Sequence, residues 1–326
     1  MALTEEALMA VPGLASRWVR LANGARAHYV TSGDTGPAVI LLHGGLPGSS
    51  GTAGWRFLAP YLGAQGFRVY CPDQPGFGLA DTREEYWPQG PHSHVEFVHD
   101  FANALCLDKF HLSGNSMGGT TAANYLVAHP ERILSYVLIG TDIGDAAPLE
   151  KRPPAAAHFE EYDGSRESMR RLMASIIGRD AAVEEDLVEM RWRSAQLQKE
   201  SRAQWWPTQL QYRGTIPWED SDLQASMSTK GRIERLEIPA LYLYGNDDVL
   251  TPSVWGHEQE DVLPNVQFFY PEGAGHQSQT DLPDLFNDVY TEFFRDGRVS
   301  RATADRAGVS KRRPELTHLV EQRVAP

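Results

Sequence analysis

The stretch HLSGNSMGGTTAANY, His111–Tyr125, decides how the chain is read. An apolar run, KFHLSG, gives way to an alanine-rich one, and Ser116 stands between Gly114 and Gly118 at the change. In a strand-to-helix turn, G-x-S-x-G lifts a serine hydroxyl clear of a sheet. Bulky side chains two residues before or after would clash within so tight a bend. A small hydroxyl residue would equally suit the N-cap of the helix that follows. The two roles make different demands on the rest of the chain. A capping serine needs nothing more. A nucleophilic serine needs an adjacent base, an acid to orient that base, and N–H donors for the developing oxyanion.

Outward from Ser116 the pattern is that of an α/β protein. ARAHYV, AVILLHG, FRVYCPD, FHLSGNS and ILSYVLIGT read as strands. Several are apolar throughout, as expected where both faces of a parallel sheet are covered. Helical patterns fall between them at Val95–Leu107 and Gly118–Ala128, which implies βαβ units. From Ala146 to Glu237 the strand signal stops, and RRLMASIIGRD and EEDLVEMRWRSAQLQKE read as short helices. IPALYLYGNDD and NVQFFYPEG restore strand character, followed by a helix near Asp284–Phe294. The simplest organisation is a core from 1–146 and 236–297 with a helical insertion, a lid, at 147–235. The polar residues 298–326 form a tail, either loose or docked on a neighbour.

On an α/β scaffold of this kind the nucleophile, acid and base follow in the order serine, acid, histidine. Of the 11 histidines, three follow the acid candidates. His257 sits in the helical SVWGHEQEDVL and His318 in the tail, whereas His276 lies in the glycine-rich PEGAGHQSQTD just past a strand. His276 is therefore the base. LYLYGNDDVLTP offers Asp247 and Asp248; the spacing from Gly245 to Pro252 favours Asp248, with Asp247 suited to capping the turn and Asp142 third. The oxyanion donors would be the N–H of Met117, after the nucleophile, and one from the loop LLHGGLPGSSG, where Gly44 and Gly45 permit close approach.

Composition narrows the partners. The net charge of -13, without a basic stripe, argues against nucleic acid or an anionic membrane. Cys71 and Cys106 make no disulfide framework. MALTEEALMAVPG carries Glu5 and Glu6 where a leader would carry positive charge, and no run approaches membrane-spanning length. A cytoplasmic protein acting on a small molecule is expected. HSHVEFVHD groups His92, His94 and His99 beside Asp100, but H-x-H lacks a matching ligand set, so a metal hydrolase is disfavoured. A pure binding module has no need of a base and acid in order. Trp192, Trp205, Trp206 and Trp218 could line a pocket or pack the insertion; Met169, Met173 and Met190 suit packing.

Together these residues resemble the α/β-hydrolase superfamily, and within it the carbon–carbon bond hydrolases that act on meta-cleavage products of aromatic catabolism. The resemblance runs from Arg26 to Phe294. HGGLPGSSG at His43–Gly51 is similar to that family's H-G-G-G-P-G-A loop, DQPGFGLAD at Asp73–Asp81 to its D-x-P-G-x-G-x-S-D turn, and Gly114–Gly119 to its G-N-S-M/L-G-G elbow. GNDDVLTP and GHQSQTDLPDLFN match its acid and histidine segments. The resemblance implies an α/β-hydrolase fold, a mostly parallel sheet with helices on both faces and an inserted helical lid. It implies no metal and no organic cofactor, and a homo-oligomer, a dimer or larger. It assigns Arg191, within AVEEDLVEMRW, to the negative charge of a dienolate, and Asn115 with Gly44 and Leu46 to substrate contact. The chain departs from the family at Gln277, where a Trp is usual, at Leu46, where a third Gly is usual, and at Arg56-Phe57, where Ser-Asn is usual. An ester or lactone hydrolase on the same scaffold is the alternative these departures raise.

Overall fold

The computed structural model describes residues 8–81, 83–87, 91–147, 160–199 and 225–322. Trp205, Trp206 and Trp218 lie outside them. Five buried aliphatic residues make β3 (Ala38–Leu42), and the six residues of β5 (Phe110–Asn115) are all buried. Such strands must be covered on both faces. They pair in parallel, Leu42 opposite Gly114, and β6 (Ile133–Ile139), β7 (Ala240–Leu243) and β8 (Val266–Phe269) continue the parallel run. On the other side β4 (Arg68–Pro72) is parallel to β3, β2 (Arg26–Ser32) pairs antiparallel to β4, and β1 (Ala15–Arg20) pairs antiparallel to β2. The order is β1-β2-β4-β3-β5-β6-β7-β8.

The order places the function-bearing loops. From β3 the chain crosses one way to β4, then returns past β3 to β5. The carboxyl ends of β3 and β5 therefore flank the point where the winding reverses, which in open α/β sheets is where a crevice opens. The register also aligns Asn115 with Ile139 and Ile139 with Leu243, so the loops after β5, β6 and β7 leave the sheet at one level.

Strand alternation divides the core in two. Ile40 and Leu42 join Leu112, Leu138 and Tyr242 on one face, under α3 (Pro91–Ala104) and α4 (Met117–Ala128). Val39 and Leu41 join Val137, Leu241 and Leu243 on the other, against α2 (Leu58–Ala64) and α9 (Pro283–Asp296). A third apolar cluster lies in the lid. There α5 (Arg166–Ile176) and α6 (Glu185–Leu197) bury Met169, Leu172, Met173, Leu187, Val188 and Met190 with Ala53 of α1 (Gly51–Trp55). These methionines pack, and the Trp192 indole donates to the Gly164 carbonyl.

Three local features differ from expectation. Strand β1 gives little sequence signal, because an edge strand carrying Arg17, Trp18 and Arg20 has its side chains largely in solvent. Helix α3 starts four residues earlier than expected and stops at Ala104, before a turn in which Cys106 has φ 54°. Residues after Gly297 pack on the chain's own sheet edge. Here α10 (Arg301–Arg306) leads to a bridge between Val309 and Phe269 of β8, and Leu319 and Val320 are buried. Arg313 anchors this segment: it donates to the carbonyls of Glu260 (3.1 Å), Leu263 (2.7 Å) and Val266. It also faces the buried Glu260 carboxylate at 3.6 Å. Arg313→Ala should lower unfolding free energy by roughly 2 kcal/mol in urea titration, since it leaves three carbonyls and a buried carboxylate short of a partner. An unchanged midpoint would show the segment to be unanchored.

Candidate active site

The site begins with a backbone constraint. A methyl group placed on Gly118 would lie 2.3 Å from the Leu42 carbonyl oxygen, and one on Gly114 would lie 2.2 Å from the Gly118 carbonyl oxygen. Only glycines let the start of α4 press against the end of β3. Between them Ser116 takes φ 54°, ψ -124°, a region costing an L-residue on the order of 1–3 kcal/mol. Its backbone is held: its N–H donates to the Ile139 carbonyl (3.0 Å), and its carbonyl accepts from Gly119 N–H (2.8 Å) and the Thr141 hydroxyl (2.6 Å). Ser116 occupies the N-cap position of α4, yet its hydroxyl makes no capping bond. The strained turn thus holds the backbone and leaves the hydroxyl out of the helix.

Within five residues of the end of β7 the chain turns so that Asp248 N–H meets the Gly245 carbonyl (3.2 Å). Asp248 is buried and Asp247 is exposed. One Asp248 carboxylate oxygen accepts from Leu250 N–H (2.9 Å) and Thr251 N–H (2.8 Å). The other accepts from His276 Nδ1 (2.8 Å) and the Thr251 hydroxyl (2.5 Å). With the proton on Nδ1, donated in a hydrogen bond to the Asp248 carboxylate, the His276 Nε2 lone pair is free to act as a base. His276 is fixed by its backbone, with its N–H on the Ile176 carbonyl (2.8 Å) and its carbonyl accepting from the Asn115 amide (2.9 Å). The same amide reaches the Ile139 carbonyl (3.3 Å), so Asn115 ties the serine turn to the histidine loop. Gly140, the residue after Ile139, packs on the pair: a methyl there would lie 2.9 Å from Asp248 Oδ2 and 3.7 Å from His276 Nδ1.

The loop after β3 closes the other side. A methyl on Gly44 would lie 3.4 Å from Ser116 Cβ, which puts the backbone of this loop directly over the serine. Beneath it His43 is buried. Its Nε2 accepts from Gln74 N–H (2.9 Å), so Nδ1 carries the proton and donates to the Gly44 carbonyl (2.7 Å). Burial pulls its pKa down to about 4, against the opposing charge of Asp73 and with help from Arg191. Gln74 returns a bond to the His43 carbonyl (2.6 Å). The lid rests on the same loop through Ser49. Arg191, buried on α6, donates to the Ser49 hydroxyl (2.9 Å), and Gln198 to the Ser49 carbonyl (3.3 Å). Leu46 packs among the lid side chains, while Gly45 is buried and Met117 opens α4.

Other histidines lead elsewhere. His94 faces the Gln74 side chain at 3.4 Å, and His99 stacks on His129 at 4.2 Å. The His92 side chain lies outside the described residues, among which no three His, Cys, Asp or Glu side chains gather as a metal ion would require. His257 packs edge-on to Tyr270, and His318 is exposed. Asp142 caps its own turn through Gly144 N–H (2.7 Å). A hydrogen-bonded Ser–His–Asp chain lies elsewhere, with Ser16 Oγ 2.9 Å from His28 Nε2 and His28 Nδ1 2.7 Å from Asp73. Its serine stands on edge strand β1. Asp73 also accepts from Gly51 N–H (2.7 Å) and Leu79 N–H (2.9 Å), so this chain fastens the 73–81 turn to α1 and β2. Sequence reasoning missed Thr251, Ser49 and Asp281, which act on neighbours rather than on a recognisable motif. The one available hint was that Thr251 stands three residues after the acid.

A fold with these loops at its strand ends defines a class. Residues 37–281 match the family model described as the alpha/beta hydrolase fold, and the chain belongs to that family. It is 28% identical over 276 residues to a 2-hydroxy-6-oxo-6-phenylhexa-2,4-dienoate hydrolase of Burkholderia cepacia, covering 83% of this chain and 92% of the relative. It is also 28% identical over 279 residues to a 2-hydroxy-6-oxononadienedioate/2-hydroxy-6-oxononatrienedioate hydrolase of Comamonas testosteroni, again covering 83% and 92%. Among solved structures, the 2-hydroxy-6-oxo-6-phenylhexa-2,4-dienoate hydrolase of Rhodococcus sp. strain RHA1 superposes with a TM-score of 0.71 at 26% identity, over 86% of this chain and 99% of that one. No helix among the described residues is long and apolar enough to cross a membrane.

The buried neutral His43 gives the loop a pH signature. Its folded pKa, about 4, lies below the ordinary 6.5, so between those values the unfolded chain binds more protons and stability rises with pH. The contribution is complete above pH 6.5 and lost as pH falls toward 4, with a ceiling of roughly 3 kcal/mol. Urea midpoints of wild type should therefore fall more steeply from pH 6.5 to 5 than those of His43→Asn. Parallel curves would show that His43 is not held neutral by the fold.

Proposed function

We propose that the chain hydrolyses the carbon–carbon bond of a 2-hydroxy-6-oxo-dienoate, a meta-cleavage product, with Ser116 as nucleophile, His276 as base and Asp248 as the acid that orients it. The observation that carries the proposal is the buried His276–Asp248 pair held at the level of the Ser116 turn. The named activities of the relatives supply the substrate class. The dienol is first converted to its keto tautomer: the 2-hydroxyl gives its proton to solvent and C5 takes one up from solvent, with Arg191 assigned to the charge of the dienolate between the two transfers. His276 Nε2 then accepts the Ser116 hydroxyl proton as Oγ attacks the C6 carbonyl. The N–H groups of Gly45 and Met117 receive the oxyanion. As the tetrahedral centre collapses, the C5–C6 bond breaks and its electron pair passes into the conjugated dienolate, which takes the proton from His276. Water, deprotonated by His276, releases the acid and restores Ser116. In the cleavage and deacylation steps His276 carries each proton, and one water molecule is consumed.

Gln277 and Leu46 bear on which distal group the pocket accepts. Both flank the reacting centre in sequence, and Leu46 packs into the lid cluster. Gln277 is buried.

Incubation of wild type and Ser116→Ala with a set of ring-cleaved dienols and p-nitrophenyl esters tests the proposal. Wild type is expected to bleach the yellow dienolate, and the alanine variant to lose at least about 1,000-fold in kcat, the scale seen when a triad member is removed. Rapid ester turnover with untouched dienols would replace the proposal with an ester or lactone hydrolase. An active Ser116→Ala would remove the serine mechanism altogether.

A further inference from the structure

We propose that Asp281 is a positioning residue that locks the histidine loop to the lid, so that the placement of the His276 imidazole depends on the seating of α5. The proposal rests on His276 being the base. Asp281 ends the short helix α8 (Ser278–Asp281), one turn past the histidine, and is buried. Its carboxylate bridges two backbone segments that are remote in sequence. Oδ2 accepts from Gly275 N–H (2.8 Å), directly before His276, and from Gly178 N–H (3.1 Å); Oδ1 accepts from Arg179 N–H (2.9 Å). Gly178 and Arg179 directly follow the last turn of α5 and its C-cap Ile177.

Two further bonds cross the same joint. The His276 N–H donates to the Ile176 carbonyl (2.8 Å), and Arg179 Nε donates to the Gly273 carbonyl (3.0 Å). The backbones touch: a methyl on Gly178 would lie 2.7 Å from Gly275 N, and one on Gly275 would lie 2.6 Å from Gly178 N and from the Ile176 carbonyl oxygen. With no side chain between the strands of this joint, the lid cannot slide without carrying Gly275 and His276 with it. Charge-assisted bonds from three N–H groups to one carboxylate are short, directional and mutually reinforcing. A displacement of about 1 Å at a catalytic group can cost on the order of 100-fold in rate. Asp281 is therefore expected to act on kcat through His276 and to leave substrate binding nearly unchanged.

Asparagine at this position keeps the size and one acceptor but turns an NH2 toward a backbone N–H. The test measures p-nitrophenyl acetate hydrolysis, which needs the serine and histidine but not carbon–carbon cleavage, in wild type, Asp281→Asn, Asp281→Glu and Gly178→Ala, with Ser116→Ala as reference. Proton NMR follows the low-field resonance of the His276 Nδ1–H. The expected result for Asp281→Asn is a kcat 10- to 100-fold lower with KM within about twofold and a broadened Nδ1–H resonance, partly recovered by glutamate. Gly178→Ala, which pries the joint from the lid side while keeping the carboxylate itself and the N–H that it accepts from, should shift kcat in the same direction and carries the test if the asparagine variant does not fold. Wild-type kcat and a sharp Nδ1–H resonance in the folded variants, with only a lowered melting temperature, would overturn the proposal. An active Ser116→Ala would instead mark failure of the underlying assignment of the site.

Discussion

No Cβ fits between the start of α4 and the end of β3, and the rest of the site follows from that contact. With Gly118 beneath the Leu42 and His43 carbonyls and Gly114 beneath Gly118, the chain between β5 and α4 has one path. That path forces Ser116 to positive φ and turns its hydroxyl away from the capping role its position would suggest. The cost is local and the parallel register repays it. Buried strands that end at one level bring the loops after β5, β6 and β7 together, so the Ser116 N–H bonds the Ile139 carbonyl and the next residue, Gly140, packs on Asp248 without any long excursion of the chain.

The lid is engaged with both halves of this arrangement. Helix α6 presses Arg191 and Gln198 onto Ser49 in the loop after β3, while the end of α5 is bonded to the loop that carries His276. Burial makes these polar contacts consequential. A neutral His43, a carboxylate at Asp248 dressed by four donors and a carboxylate at Asp281 dressed by three are each satisfied within the protein, as buried polar groups must be. Hydrogen bonds that close this network also fix geometry: Asn115 ties the serine turn to the histidine loop, and the Asp248 carboxylate ties that loop to the acid turn.

Much of this was legible in the sequence because the decisive constraints are short in range. GNSMGG announces a turn that only glycines permit, AVILLHG and FHLSGNS announce buried parallel strands, and GNDD followed by GAGH places an acid and a base after later strands. What was not legible depends on partners far apart in the chain. Nothing in SQTD says that Asp281 meets Gly178, and nothing in VLTP says that the Thr251 hydroxyl shares an oxygen with His276. Strand β1 escaped because solvent, rather than a core, faces most of its side chains. Asn115, assigned by resemblance to substrate, spends its amide on the His276 and Ile139 carbonyls, a tie that only the folded register reveals.

The central claim is that the fold activates one hydroxyl, that of Ser116, through the His276–Asp248 pair. Labelling with a fluorophosphonate, which reacts with serines that have a neighbouring base, tests it most directly. Peptide mass mapping after limited labelling should find a single adduct on Ser116, formed far more slowly in Asp248→Asn and absent in His276→Ala. An unlabelled Ser116, or an adduct that forms as fast without His276, would contradict the account.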